Sequence, residues 1–301
     1  MLQENTHTLI YTVKEEDAGM SILDALYKRM KASGRVIRSA KRRKDILLNG
    51  NAVSVNARVR KGDQLALRLL VEPNIFEPED IPVAIAFEDM DMIAVNKQPF
   101  LVVHPTKNHP YGTLANGLSK YFKDNDMDFK IRFINRLDRD TTGLMLVAKN
   151  GFAQQMISDQ MQNNQVEKIY YAVVKGRLEK DAGTINEPIG LATPDGIARS
   201  VFADGQPSVT HYKVVERFED ATLVEVLLET GRTHQIRVHF QHVGHPLVGD
   251  ELYGSVDSRI NRQALHCIRM SMAPVRGQGK LNLEAPLPED MKALLEDLRQ
   301  A

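Results

Sequence analysis

The chain has 301 residues with 39 basic and 39 acidic side chains and a single cysteine, Cys267. That length suits two domains with a real core in at least one. It contains no apolar run near the ~18 residues of a membrane span, no signal-peptide pattern in Met1-Leu2-Gln3-Glu4-Asn5 and no possible intrachain disulfide, so the expected home is a reducing cytoplasm.

The balanced total conceals an asymmetry. Residues 1–70 carry fourteen Lys or Arg against seven Asp or Glu, a net of +7, which leaves −7 for the remainder. Nine of these cations, Lys28, Arg29, Lys31, Arg35, Arg38, Lys41, Arg42, Arg43 and Lys44, form one run with no acid between them. A solvated helix face interleaves both signs, whereas an unmixed basic run fits a surface that binds phosphates.

In chain order, Ser21-Ile22-Leu23-Asp24 reads as a capping box. Ile22, Leu23, Leu26, Tyr27 and Met30 then recur at helical spacing. A second helix around 39–44 is expected to carry much of the basic cluster. Ile46-Leu47-Leu48 meets Asn49-Gly50, the strongest short-range hairpin signal, and returns through Val53 and Val55. Leu65, Leu67 and Leu69 alternate as a last strand. Residues 1–71 thus read as a small basic module, and the acidic, proline-punctuated segment 72–82 as an extended linker.

The second domain is expected to span 83–301. Strands at Ala84–Phe87 and Met92–Lys97 flank the turn Glu88-Asp89-Met90-Asp91, and Thr113 opens a helix with Leu114, Leu118 and Tyr121 on one side. Residues 151–162 read as helix, 166–175 as strand, Thr193-Pro194-Asp195-Gly196 as a turn, and 211–217 with 222–228 as a strand pair. The stretch 230–237 ends a strand and begins a helix with Ile236, Phe240 and Val243 on one face and Gly244 as its stop. From Glu284 onward an acidic surface helix is expected. Strands outnumber helices and many are hairpin-linked, which predicts an α+β fold with a mixed, largely antiparallel sheet flanked by helices.

One stretch stands apart. Asn135-Arg136-Leu137-Asp138-Arg139-Asp140-Thr141-Thr142-Gly143 places two Arg and two Asp between apolar strands, where a plain hairpin wants little more than Asn-Gly. It reads either as an ion-paired surface turn or as a reactive loop whose side chains are held in fixed directions. Asp138 is open to three roles there: nucleophile, general base or ion-pair partner, with Arg136, Arg139 and Arg232 as candidate counter-charges. Asp138 and Asp140 suggest a two-carboxylate hydrolase, but residues at i and i+2 of an extended turn point to opposite sides. Asp140 fits better as a cap on the Thr141-Thr142-Gly143 turn. His234, His239, His242 and His245 do not make a metal set, because no neighbouring Cys or carboxylate completes a tetrahedron. Neither phosphate-binding glycine motif is present, so no metal and no nucleotide cofactor is expected. His266 beside Cys267 is a poor nucleophile–base pair, since neighbours on one backbone rarely face each other.

Three ordered segments carry a resemblance. "INRLDRDTTGLMLVAK" resembles the signature of the RluA-type pseudouridine synthases, "IAVNKQPFLVVHP" their first motif, and "LLETGRTHQIRVHFQHVGHPLVGDELYG" their third. "EKIYYAVVKG", "ALHCIRM" and "LEAPLPEDM" are similar to further segments of the family, and together they cover about residues 84–295. The basic module resembles the small RNA-binding module with an αL motif named after a small-subunit ribosomal protein. The family isomerises specific uridines in RNA to pseudouridine without metal or cofactor. The resemblance therefore implies that Asp138 is the catalytic aspartate and that Arg136 fills the gap left by a flipped nucleotide. It further implies that Tyr170 stacks on the flipped uracil and that Arg232 pairs with Asp138. Asn135 departs from the family's usual His. The partner implied is RNA, ribosomal in first place and transfer RNA as the alternative; a binding-only assembly factor is the competing reading. Nothing in the sequence demands more than a monomer.

Overall fold

Residues 8–68 build an antiparallel sheet from β1 (Thr8–Thr12), β2 (Ile46–Leu48), β3 (Asn51–Ala52) and β4 (Gln64–Arg68), in the order β1-β4-β2-β3. Asn49 and Gly50 both take positive φ, 49° and 88°, as the two-residue turn between β2 and β3 requires. Helix α1 (Ile22–Lys28) starts where the Ser21 hydroxyl accepts the Asp24 N–H. Helix α2 (Gly34–Arg43) begins earlier than the expected 39–44, because Ser33 caps it through the Val36 N–H. Its Ile37 and Ala40 are buried while Arg35, Arg38, Lys41 and Arg42 face solvent, and Lys44 ends it in the left-handed region. The computed structural model describes residues 3–106, 110–193 and 196–301, so the tip of the turn expected at 193–196 lies outside the described residues.

The second sheet is larger. It comprises β5 (Ala84–Glu88), β6 (Met92–Lys97), β7 (Arg132–Phe133), β8 (Thr142–Ala148), β9 (Glu167–Lys175) and β10 (Ala182–Asn186). A separate two-stranded arm, β11 (Ile189–Leu191) with β12 (Arg199–Val201), follows in the chain. The large sheet is completed by β13 (Val209–Arg217), β14 (Ala221–Leu228), β15 (Leu265–Met272) and β16 (Leu281–Glu284). Its order is β10-β13-β14-β9-β15-β8-β6-β5, with β16 on β15 and β7 on β8. Among the described residues of this sheet only β15 and β8 run parallel, so it is mixed and largely antiparallel, as the hairpin-linked pattern predicts. Where those two strands meet, Gly143 has φ +109°, and a Cβ there would lie 2.3 Å from the Cys267 carbonyl oxygen. Only glycine allows that approach.

Four helices accompany this sheet: α3 (Leu114–Asp124), α4 (Gly151–Gln162), α5 (Gln235–His242) and α6 (Glu289–Gln300). Thr113 caps α3 in a reciprocal box with Asn116. The alternation of β9 separates the two faces of the sheet. Ala172, Val174 and Tyr170 share a core with Ile236 and Phe240 of α5. Val173 and Tyr171 instead join Leu294, Leu295 and Leu298 of α6. The C-terminal helix, expected as a surface element from its acidity, therefore buries one full face.

The proline-punctuated segment is extended but not free. Asn74 Nδ2 donates to Ser119 Oγ (2.6 Å), Ser119 Oγ to the Phe76 carbonyl (2.6 Å), and Asn116 Nδ2 to the Glu77 carbonyl (3.0 Å). Glu72 pairs with Lys130 and Arg132. Residues 72–79 are thus a strap laid along α3. The N-terminal segment is tied down as well: Arg276 donates to the carbonyls of Thr8 and Asn5, and Asn150 to that of Thr6.

Candidate active site

Strand β7 leads into the charged loop and β8 leads out, and buried groups hold the turn between them. The Asn135 side chain extends the ladder, its Oδ1 accepting the Leu146 N–H (2.8 Å) and its Nδ2 donating to the Leu144 carbonyl (3.3 Å). A short amide does here what a histidine need not do, which gives the departure at 135 a structural role. Lys97, 1% exposed at the end of β6, donates to the carbonyls of Arg139 (2.7 Å), Gln98 (2.9 Å) and Leu101 (3.2 Å). Three acceptors match the three protons of an ammonium group, while burial pulls its pKa down to about 7. Arg262, with its side chain fully buried, donates to the Asp140 carbonyl (3.1 Å) and is held by both oxygens of Asp290. Gln263 reaches Thr141 Oγ1 (3.1 Å). The Thr141 N–H closes the turn on the Asp138 carbonyl (3.1 Å).

Asp138 projects from this turn into a cleft of about 70 Å³ lined by Arg136, Tyr170, Arg232, His234, Gln235 and Arg237, among others. Its ion-pair partner is Arg237: Nη1 lies 3.0 Å from Asp138 Oδ2. This corrects the expected pairing with Arg232. The start of α5 decides the matter, because the left-handed backbone of His234 (φ 57°) turns the chain into the helix just before Gln235. Arg237 then lies in the first turn facing the loop, while Arg232 stays exposed at the rim and donates from Nε to the Pro207 carbonyl (3.2 Å). Gln235 locks that arrangement. Its Oε1 accepts the Arg232 N–H (2.9 Å) and the Thr230 hydroxyl (2.8 Å), and its Nε2 donates to the Val209 carbonyl (3.0 Å).

Arg237 is oriented from behind. Asp250, wholly buried, takes Nε (2.7 Å) and Nη2 (2.9 Å) in a bidentate pair, and the Tyr253 ring lies 5.0 Å under the guanidinium. Burial works against the charge, but hydrogen bonds and charge from Asp250 and then Asp138 outweigh it and raise the Arg237 pKa. The result is a fixed cation on one oxygen of Asp138. His234 Nε2 stands 3.7 Å from the same oxygen.

Tyr170 lines the cleft from β9 and is 7% exposed. Burial raises its hydroxyl pKa well above the ordinary value, with Cys267 as its neighbour. Cys267 itself is pushed up to about 12 by burial, so it is an inert thiol at neutral pH. His266 turns to the other side of the strand, onto Thr142 Oγ1 (2.9 Å) and the Ala285 carbonyl (3.2 Å). Asp140 does not cap the turn; its carboxylate is taken by Arg139 (2.7 Å). His239 is buried between Thr210 Oγ1 and the Glu187 carbonyl, and His245 bonds the Lys175 carbonyl. His104 packs edge-on against Phe133, with ring centroids 4.6 Å apart.

The basic run divides. Arg29 binds Asp17, Arg43 binds Asp45 (2.6 Å), and Lys28 pairs with Asp24 (3.1 Å). Lys31, Arg35, Arg38, Lys41, Arg42 and Lys44 form no ion pair among the described residues. A cleft of about 610 Å³ runs between α2 and β7, lined by Arg35, Ser39 and Arg43 on one side and His104, Lys130 and Phe133 on the other. A further cavity, about 990 Å³, shares no lining residue with the Asp138 cleft.

The sequence does not single out Arg237, Lys97 or Arg262, and it offers His234 only as a metal ligand to reject, not as a neighbour of Asp138. The only sequence signal for Arg237 is its place in the first turn of a helix that follows Gly231-Arg232-Thr233.

Residues 91–242 match the sequence model of the RNA pseudouridylate synthase family. The chain is 38% identical to the uncharacterized RNA pseudouridine synthase YjbO of Bacillus subtilis, over 95% of this chain and 98% of that protein. It is also 38% identical to ribosomal large subunit pseudouridine synthase D of Escherichia coli K12, over 84% of this chain and 82% of that one. In fold it is similar to the human RNA pseudouridylate synthase domain containing 4, with TM-score 0.60 and 22% identity, covering 72% of this chain and 93% of that one.

Proposed function

This chain belongs to the RluA-type RNA pseudouridine synthases, which are isomerases, and we propose that it modifies uridines of large-subunit ribosomal RNA through Asp138. The observation that carries this reading is a carboxylate that lines the cleft and is anchored at Oδ2 by Arg237. Among the described residues, the Arg237 hydrogen bond to Asp138 and the nearest approach of His234 both fall on Oδ2. Oδ1 is left to the substrate.

The chemistry explains the need for such a site. In pseudouridine formation the N1–C1′ bond of uridine breaks, the ring rotates, C5 bonds to C1′, and C5 gives up its proton while N1 takes one up, so substrate and product are isomers. A stacked base hides its ribose, so the target nucleotide is flipped out. Asp138 then acts on the flipped nucleotide, with one of its oxygens held by Arg237. Tyr170 stacks on the freed uracil and holds it during rotation. Arg136, exposed at the mouth of the cleft, fills the gap in the strand. Arg232 joins it at the rim as a phosphate contact, a role fitted to its exposure.

Residues 1–71 act as the RNA-holding module and 83–301 as the catalytic domain, with the linker 72–82 between them. The cations Lys31, Arg35, Arg38, Lys41, Arg42 and Lys44 supply phosphate contacts. Lys28, Arg29 and Arg43 instead secure the module's own fold. The α2–β7 cleft then leads RNA from the module to the strand that enters the Asp138 loop. The enzyme works as a monomer in the cytoplasm, where Cys267 stays reduced. Ribosomal RNA is favoured by the name of the Escherichia coli relative.

The test is a map of pseudouridines in RNA from cells with and without this gene. Loss of modification at one or a few large-subunit positions supports the proposal. Loss confined to transfer RNA replaces the substrate, and an unchanged map replaces catalysis with RNA binding alone.

A further inference from the structure

His234 belongs to no step described so far, yet it is held more tightly than a helix cap requires. Its backbone is left-handed, and its side chain caps no N–H. Instead Nδ1 lies 2.8 Å from the Tyr253 hydroxyl, with the rings edge-on and centroids 5.6 Å apart. The Tyr253 oxygen already accepts the Arg199 N–H (2.8 Å). Among the described residues, the other hydrogen bond of that hydroxyl is to His234 Nδ1, which can accept its proton. A ring that accepts at Nδ1 is neutral and carries its proton on Nε2. That nitrogen is the one 3.7 Å from Asp138 Oδ2.

We propose that His234 is a positioning residue for Asp138: the Arg199–Tyr253 relay fixes it as the neutral Nε2–H tautomer, and this N–H closes on Oδ2 when RNA fills the cleft. At 3.7 Å the contact is longer than a hydrogen bond, as catalytic contacts in empty sites often are. Closing it would share Oδ2 between Arg237 and His234 and so fix the direction of Oδ1. A neutral donor suits the place, because Arg237 already supplies the positive charge and a second cation would blunt the carboxylate. The groups facing the ring agree. Asp138 and Asp250 favour its charged form, Arg237 and Arg199 oppose it, and burial dominates to lower the pKa.

The proposal rests on Asp138 being the reacting carboxylate, and the two can be told apart. In the full-length protein, ¹⁵N-imidazole correlation spectra report the tautomer without any turnover. An Nε2–H ring in the wild type that becomes a mixture in Tyr253→Phe supports the relay; an Nδ1–H ring overturns it. Single-turnover pseudouridine formation supplies the second arm. His234→Asn keeps a residue that tolerates positive φ but lacks the reach, and its rate at saturating RNA should fall by roughly tenfold or more, with RNA affinity unchanged. His234→Gln places an N–H where Nε2 stood and cannot titrate, so it should recover much of the rate and flatten the acid limb of the pH profile. In Tyr253→Phe that limb should move to higher pH, since the proton that only a neutral ring accepts has been removed. Wild-type turnover in His234→Asn, or no recovery in His234→Gln beyond His234→Asn, overturns the positioning role.

Discussion

The Asp138 loop and the exposed face of α2 are both rich in charge, and they treat it in opposite ways. Around Asp138 the charges are committed. Lys97 spends its charge on backbone carbonyls, Arg262 is divided between Asp290 and the Asp140 carbonyl, and Arg237 between Asp250 and Asp138. On α2 the cations Arg35, Arg38, Lys41 and Arg42 face solvent without ion-pair partners among the described residues. Chemistry at one carbon needs donors fixed before the substrate arrives, because their reorganisation is then not part of the barrier. Phosphate binding needs only density of charge, and long flexible side chains supply it. The caps Ser21 and Ser33 keep the module's helices in register without using those cations.

The committed charges around Asp138 should be the most sensitive to substitution. Arg237→Leu strands the buried Asp250 and frees Asp138, which should cost about 3–5 kcal/mol of stability and on the order of 100-fold in turnover. Thermal unfolding and single-turnover rates check it; a stable variant with normal turnover would mean the pair is ornamental. Tyr170→Leu should lose roughly 1–3 kcal/mol of stacking on the uracil, about tenfold in rate for each 1.4 kcal/mol. Tyr171→Leu is its control, because that ring packs toward α6 and its loss should lower stability rather than rate.

Lys97 sharpens the contrast through pH. Its pKa is about 7 in the folded chain against 10.5 for the free side chain, so between those values the unfolded chain holds more protons and wild-type stability should rise with pH. Lys97→Met should lack that rise. Denaturant unfolding at pH 7 and pH 10 compares the two, and parallel curves would contradict a buried, desolvated amine. The smallest effect belongs to α2. Arg38→Gln should weaken RNA binding a few-fold and reduce the salt slope by about one, with turnover at saturating RNA retained. A variant that loses turnover but not affinity would place α2 in the chemistry instead.

What the sequence reveals follows from how local each feature is. The Asn49-Gly50 hairpin, the Thr113 helix start and strands β5 and β6 depend on neighbours a few residues away, and they lie where the local pattern puts them. Strand β1 escapes notice because its partner is β4, distant in the chain. The strap at 72–79 has linker composition, and only α3 supplies the Ser119 and Asn116 groups that dock it. The acidic tail hides an apolar stripe that matters only once Val173 and Leu223 lie opposite it. The counter-charge is the sharpest case. Arg232 and Arg237 are equivalent as residue types, and the choice between them rests on a left-handed His234 and on Asp250, neither visible as a periodicity.

The central claim is that one carboxylate, anchored at a single oxygen, isomerises uridine in RNA. It is tested most directly by returning the gene to cells that lack it, as wild type or as Asp138→Asn, and mapping pseudouridine in the large-subunit RNA. Wild type should restore every lost position, and Asp138→Asn none, although the purified variant binds the same RNA with nearly unchanged affinity. Restoration by Asp138→Asn would contradict the account.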